Sequence, residues 1–209
     1  MSLGMEKASL AVTCSAKFGP GAGKINVDEC RMNYRPLIAV IGDSWTAPGS
    51  DTYELAYWLG YTLNCQRYRI ITGSEGGIME AVARGAFISP YYRDGDVNRV
   101  IGGYGSSSAT HTSDVCMATS REMSGDLITP DSDAVIAMGG GTGTLTQLAR
   151  AWALNKLIIG YKVRGWSGRV ADRPMDLRRR FENMPDDQVY GVCSEKEVLE
   201  KLELLSRYI

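Results

Sequence analysis

From residue 37 onward, short apolar runs alternate with glycine-rich turns and with stretches whose apolar positions recur at helical spacing. Leu37-Ile38-Ala39-Val40-Ile41 is continuously apolar and ends in Gly42-Asp43-Ser44, which reads as a strand buried on both faces. Asp51 and Glu54 have capping-box spacing, and Leu55, Trp58, Leu59 and Thr62 follow with the period of a helix. Tyr68 to Thr72 predicts a second strand, closed by Gly73-Ser74-Glu75-Gly76-Gly77 and a helix from Ile78 to about Arg84. Asn98 to Ile101 predicts a third, and Ala134 to Met138 a fourth, followed by Gly139-Gly140-Gly141-Thr142-Gly143-Thr144. A helix then runs through Trp152, with Leu145, Leu148, Ala149 and Trp152 as its apolar stripe. Leu157 to Tyr161 is a fifth strand and Val189 to Val192 a sixth. Ser194 and Glu197 open a last helix that buries Val198, Leu202 and Leu205.

Apolar strands alternating with helices mean βαβ units and a parallel sheet covered on both faces. The expected fold is a doubly wound, mainly parallel, Rossmann-like α/β domain spanning residues 36–209. Residues 1–35 lack sustained periodicity and read as a tail or irregular lead-in. Their Gly19-Pro20-Gly21-Ala22-Gly23-Lys24 run is not a phosphate loop, because the glycines are too close and Ile25 stands where a hydroxyl is needed.

Composition narrows the chemistry. The 209 residues carry 23 Lys+Arg against 24 Asp+Glu, a balance that argues against nucleic acid as the main partner. No apolar stretch approaches the ~20 residues of a membrane span. With His111 as the one histidine, a multi-histidine metal site is excluded, and no metal is expected. The five cysteines (Cys14, Cys30, Cys65, Cys116, Cys193) are odd in number and form no C-x-x-C pair, which suits buried thiols in a reducing compartment. No secretory leader is evident, so the expected location is the cytoplasm.

The glycine turns carry the candidate chemistry. Gly139 to Thr144 lies between a buried strand and a helix, where backbone amides and the helix dipole favour an anion and Thr142 and Thr144 add hydroxyls. It departs from the dinucleotide fingerprint, since Thr146 occupies the place of the third glycine. Gly73 to Gly77 repeats the arrangement at a second junction, so two helix starts can converge on one ligand. Tight turns required only for packing are the competing reading. Ser120-Arg121 lies upstream of the fourth predicted strand, and an arginine there could clamp a phosphate bidentately. Arg164, Arg169, Arg173 and Arg178 to Arg180 fall in a segment, 162–185, readable as a basic lid, an oligomer contact or a solvated connection. His111 reads as a loop residue.

Together Gly42-Asp43-Ser44, the Thr72 to Ala86 segment, Ser120-Arg121 and Ser132 to Leu145 resemble the LONELY GUY / lysine decarboxylase-like proteins of the SLOG superfamily. The similarity is greatest to the branch of Rossmann nucleotide-binding and molybdenum-cofactor-carrier-like proteins. The resemblance implies a homodimer or higher homo-oligomer and a pocket for a phosphorylated ligand, a nucleoside monophosphate or a molybdopterin-like compound, with no further cofactor required. It places ligand contacts at Gly42, Asp43, Ser44, Gly73, Ser74, Glu75, Gly76, Gly77, Ser120, Arg121 and Gly139 through Thr144. Active members are similar to phosphoribohydrolases, which cleave the N-glycosidic bond of a nucleoside 5′-monophosphate; none is a true lysine decarboxylase. Their motif runs Pro-Gly-Gly-x-Gly-Thr-x-x-Glu. Here Gly139 holds the proline position and Gln147 that of the catalytic glutamate, while Arg121 corresponds to the catalytic arginine. Glutamine keeps the shape of glutamate but cannot ionise, and loss of a general base costs roughly 10²–10⁴ in rate. Asp43, Glu75 and Glu80 are the carboxylates that could substitute. The readings are a nucleotide or phosphorylated-pterin binder with weak or no turnover, a phosphoribohydrolase with a relocated carboxylate, and an interaction module whose pocket is vestigial.

Overall fold

Seven strands form one sheet in the order β4-β3-β2-β1-β5-β6-β7, every neighbouring pair parallel. The computed structural model describes residues 34–208 apart from 74, 103–114 and 120–127, and Arg35 to Ile209 make one compact unit. In chain order the elements are β1 (Leu37–Gly42), α1 (Asp51–Cys65), β2 (Arg69–Gly73), α2 (Gly77–Phe87), β3 (Val97–Gly102) and β4 (Val115–Thr119). There follow β5 (Ala134–Met138), α3 (Thr142–Ala153), β6 (Leu157–Tyr161), α4 (Trp166–Val170), β7 (Tyr190–Val192) and α5 (Glu195–Leu202), which runs on into a 3₁₀ turn at Glu203–Arg207.

The central strands β1, β2, β5 and β6 are apolar on both sides because both sides are covered. Ile38, Val40, Ile70, Ile136 and Ile159 face a core closed by α1, α2 and α5, with Leu59, Leu63, Ile78, Val82, Val198 and Leu202 buried against them. Ala39, Ile41, Ile71, Val135 and Ile158 face the opposite way, onto Leu148, Ala151 and Trp152 of α3. Crossovers that step away from β1 in opposite directions, each right-handed, place their helices on opposite faces. This is the doubly wound arrangement the sequence predicts. Among the described residues no helix is long and apolar enough to cross a membrane.

Several local expectations change. β4 is an additional strand, pairing with β3 from Asn98–Val115 to Gly102–Thr119; its short Val-Cys-Met-Ala-Thr run lacks a bounding glycine turn that would mark it. The cap of α1 is Ser50, not Asp51: its extended backbone lets its hydroxyl oxygen accept from the Tyr53 amide at 3.3 Å, and Asp51 and Glu54 instead supply acid to the first turn. Trp58 of α1 and Ala149 of α3 are exposed rather than buried, since Ala56, Leu59 and Leu63, and Thr144, Leu148 and Ala151, face the sheet. The Ser194 cap holds, its oxygen 3.3 Å from the Glu197 amide while the Glu197 carboxylate reaches back to the Cys193 amide at 2.9 Å. The buried-thiol expectation fails where it can be examined. Cys65 is half-buried, 3.4 Å from the Ser89 hydroxyl, and Cys193 is exposed where the chain turns into α5.

Candidate functional site

β1 lies between β2 and β5, and the chain leaves it on one side and returns on the other. The strand order therefore reverses between β1 and β5, where open α/β sheets bind ligands at the carboxyl ends of their strands. Three of the predicted turns meet there.

Asp43 is the hub. Its amide donates to the Met138 carbonyl at 3.2 Å, joining the ends of β1 and β5, and its own carbonyl accepts the Ile78 amide at 3.0 Å, joining β1 to α2. Its carboxylate accepts the Trp45 amide at 3.0 Å. Gly77 begins α2 at φ +55°, and a β-carbon there would lie 2.3 Å from the Asp43 carbonyl oxygen, so only glycine allows this approach. Gly42, Ser44, Gly73, Gly76 and Glu75 surround the same junction; Glu75 is exposed, and Gly76 caps α2 without any side-chain hydrogen bond.

On the β5 side, Gly139 and Gly140 both have positive φ, +68° and +86°. The Gly139 amide donates to the Ser167 hydroxyl oxygen at 2.7 Å, and that hydroxyl donates to the Tyr161 carbonyl at 2.8 Å. The Gly139 and Gly140 carbonyls accept the Ser167 and Trp166 amides at 3.1 and 3.0 Å. Ser167 of α4, absent from the sequence-based set because no motif marks it, thus latches the turn. The Thr144 hydroxyl is likewise engaged within the fold, donating to the Gly42 carbonyl at 3.3 Å from a buried position.

Beyond Gly139 the amides are open. From Gly140 to Thr144 five successive amides have no acceptor among the described residues, and Gly141 caps α3 with no side-chain hydrogen bond. Gly141, Thr142 and Gly143 are exposed, and no acidic residue occupies the first turn of this 12-residue helix. Its positive end is consequently unneutralised, a disposition suited to an anion.

Gln147 is half-buried on the next turn of α3. Of the carboxylates that could replace a catalytic glutamate, Glu80 is paired with Arg84 at 3.2 Å, Glu75 stands in solvent, and half-buried Asp43 alone sits within the reversal itself. Ser74, Ser120, Arg121 and His111 lie outside the described residues, as do Cys14, Cys30 and the Gly19–Lys24 run.

The basic segment 162–185 divides residue by residue. Arg180 is buried and structural: it makes a bidentate pair with Asp187 at 2.7 Å, donates to the Trp152 and Lys156 carbonyls, and stacks 3.7 Å from the Trp152 ring centroid. Arg178 pairs with neighbouring Asp176 on the surface. Arg164, just before α4, and Arg169, within it, are exposed.

Comparison with known proteins agrees with this architecture. The profile of the SLOG cluster4 family matches residues 35–190. An uncharacterized protein of Archaeoglobus fulgidus is 30% identical over 123 residues, 54% of this chain and 72% of that protein. The molybdenum cofactor binding protein of the phototrophic bacterium Rippkaea orientalis superposes with a TM-score of 0.66 at 22% identity, over 83% of this chain and 99% of that one. The molybdenum cofactor carrier protein of Chlamydomonas reinhardtii gives 0.64 at 18% identity over 83% and 99%.

Proposed function

This chain belongs to the SLOG cluster4 family, and from that membership we propose that it binds a phosphorylated small molecule at the β1–β5 reversal with weak or no turnover. The observation that carries the reading is the run of amides from Gly140 to Thr144 without an acceptor among the described residues, at the start of α3 beside the Asp43 turn, which the Asp43 amide ties to the Met138 carbonyl. A phosphate held there would receive backbone hydrogen bonds and the field of α3. Gly42 to Ser44, Gly73 to Gly77 and Gly139 to Thr144 form the proposed contact set, completed by Ser120 and Arg121. The ligand is a nucleoside monophosphate or a molybdopterin-like compound, the latter supported by the two cofactor-binding proteins that share the fold. Gln147 in the glutamate position supports binding without hydrolysis, because an amide can neither take a proton from water nor supply negative charge to an oxocarbenium-like state.

Calorimetry and thermal unfolding with AMP, GMP and a phosphorylated pterin test this. At a hundredfold excess over Kd a true ligand stabilises the chain by about 2.7 kcal/mol. Failure of every phosphorylated compound to bind or stabilise the chain refutes the proposal. Asp43 supports a second reading, a phosphoribohydrolase with a relocated carboxylate, since that group lies at the reversal itself. Chromatography of AMP and GMP incubations separates the two: the binding reading gives no free base, and steady release that Asp43→Asn abolishes establishes the enzyme. We further propose that residues 36–209 constitute the functional domain with 1–35 as lead-in, and that the protein acts in the cytoplasm as a homo-oligomer. Its unpaired Cys65 and Cys193 suit a reducing compartment.

A further inference from the structure

A concavity adjoins the glycine turn. It has a volume of about 630 Å³, lies between the end of β6 and α4, and is lined by Lys162, Arg164, Arg169 and Asp172 around the backbone of Gly165 and Gly168. Three cations there face one carboxylate, and Lys162 already holds that carboxylate at 2.7 Å. Arg164 has no hydrogen-bond or ion-pair partner among the described residues, and Arg169 only rests over the Trp166 ring, 5.0 Å from its centroid. The cavity and the open amides share a wall. Gly165, at φ +129°, packs so closely that a β-carbon on it would lie 2.5 Å from the Gly139 carbonyl carbon and 2.8 Å from the Gly140 nitrogen. The Arg164 carbonyl oxygen would stand 3.2 Å from a β-carbon on Gly139.

We infer that this cavity is a second anion subsite, so that the ligand carries two acidic groups. The amides of Gly140 to Thr144 hold one, and the guanidinium groups of Arg164 and Arg169 hold the other. The inference rests on the proposed phosphate site and specifies its ligand class: a diphosphate, or a phosphate ester bearing a second oxyanion. Backbone amides at a helix start suit a compact anion, whereas a guanidinium fork engages two oxygens of a group arriving from the side. Because Arg164 is exposed and unpaired, its removal leaves the fold intact.

Calorimetry on the full chain, at constant ionic strength, compares inorganic phosphate with pyrophosphate and AMP with ADP. In the parent protein the compound with two charged groups binds roughly tenfold or more tightly, the range of one or two charge-assisted hydrogen bonds. Arg164→Ala, alone and with Arg169→Ala, removes most of that gain while phosphate and AMP stay within about threefold, since their amide contacts remain. Equal affinity for the one- and two-group compounds, or variants that weaken both alike, overturns the subsite while leaving phosphate binding in place. Absence of binding by all four compounds removes the phosphate reading and the subsite with it.

Discussion

At the scale of single residues, the glycines of the β5 turn are not equivalent. Gly140 has φ +86°, and a β-carbon on it would meet the Thr144 hydroxyl oxygen at 2.0 Å, whereas Gly143 has open space around its α-carbon. Gly140→Ala is therefore expected to destabilise the chain by about 1–3 kcal/mol through backbone strain and a displaced Thr144. It should also abolish stabilisation by AMP, because the amides it carries would turn. Gly143→Ala, within the first turn of α3, should leave stability unchanged or raise it by about 0.5–1 kcal/mol. Urea unfolding of both variants, with and without ligand, reads the difference; equal losses in both would contradict it. The cluster of glycines was legible in the sequence as a strand-to-helix turn. Which of them the backbone requires was not, since that depends on Thr144 being drawn to the Gly42 carbonyl from a residue 102 positions away.

At the scale of elements, one buried carboxylate joins the β1 lead-in, α1 and β3. Asp96, fully buried, accepts hydrogen bonds from the Arg35 guanidinium, the Asn64 side-chain amide at 2.8 Å and the Arg93 backbone amide at 3.0 Å. Burial pushes its carboxyl up, but the hydrogen bonds from Arg35, Asn64 and Arg93 outweigh it and hold the group below the ordinary carboxylate range. A carboxyl whose folded value is depressed stabilises the native state above its unfolded value and loses that contribution as acid carries the pH down through the folded one. Stability from this cluster should thus be complete above about pH 4 and fade below it. Asp96→Asn should cost about 1–3 kcal/mol at neutral pH and show a shallower fall in Tm below about pH 4, the unfolded carboxylate value. Parallel Tm–pH curves for the two proteins would rule this out. Strand periodicity and the Ser194 cap were readable because they depend on near neighbours. β4 and the Ser50 cap were missed because a ladder partner and a local backbone angle decided them, and the Asp96 cluster because its members are spread from residue 35 to residue 96.

For the whole molecule, Arg35 to Ile209 form a unit with a core on each face of one sheet. A chain beginning at Arg35 is expected to unfold in a single cooperative transition and to keep its response to phosphorylated ligands. Circular dichroism during urea titration checks the first point and thermal shift the second; a broad, non-cooperative transition would contradict the proposed domain. By itself the sequence determined the alternation of strand and helix, the parallel class of the sheet and the location of its glycine turns. Those properties follow from side-chain periodicity and local backbone preference, which act over a few residues. Tertiary structure alone decided that β5 returns beside β1, that Ser167 latches Gly139, that Asp43 ties three turns together and that Arg164 borders the Gly139 turn. Each of these is a contact between segments distant in the chain, selected by how right-handed crossovers stack on a twisted sheet rather than by any spacing within the sequence.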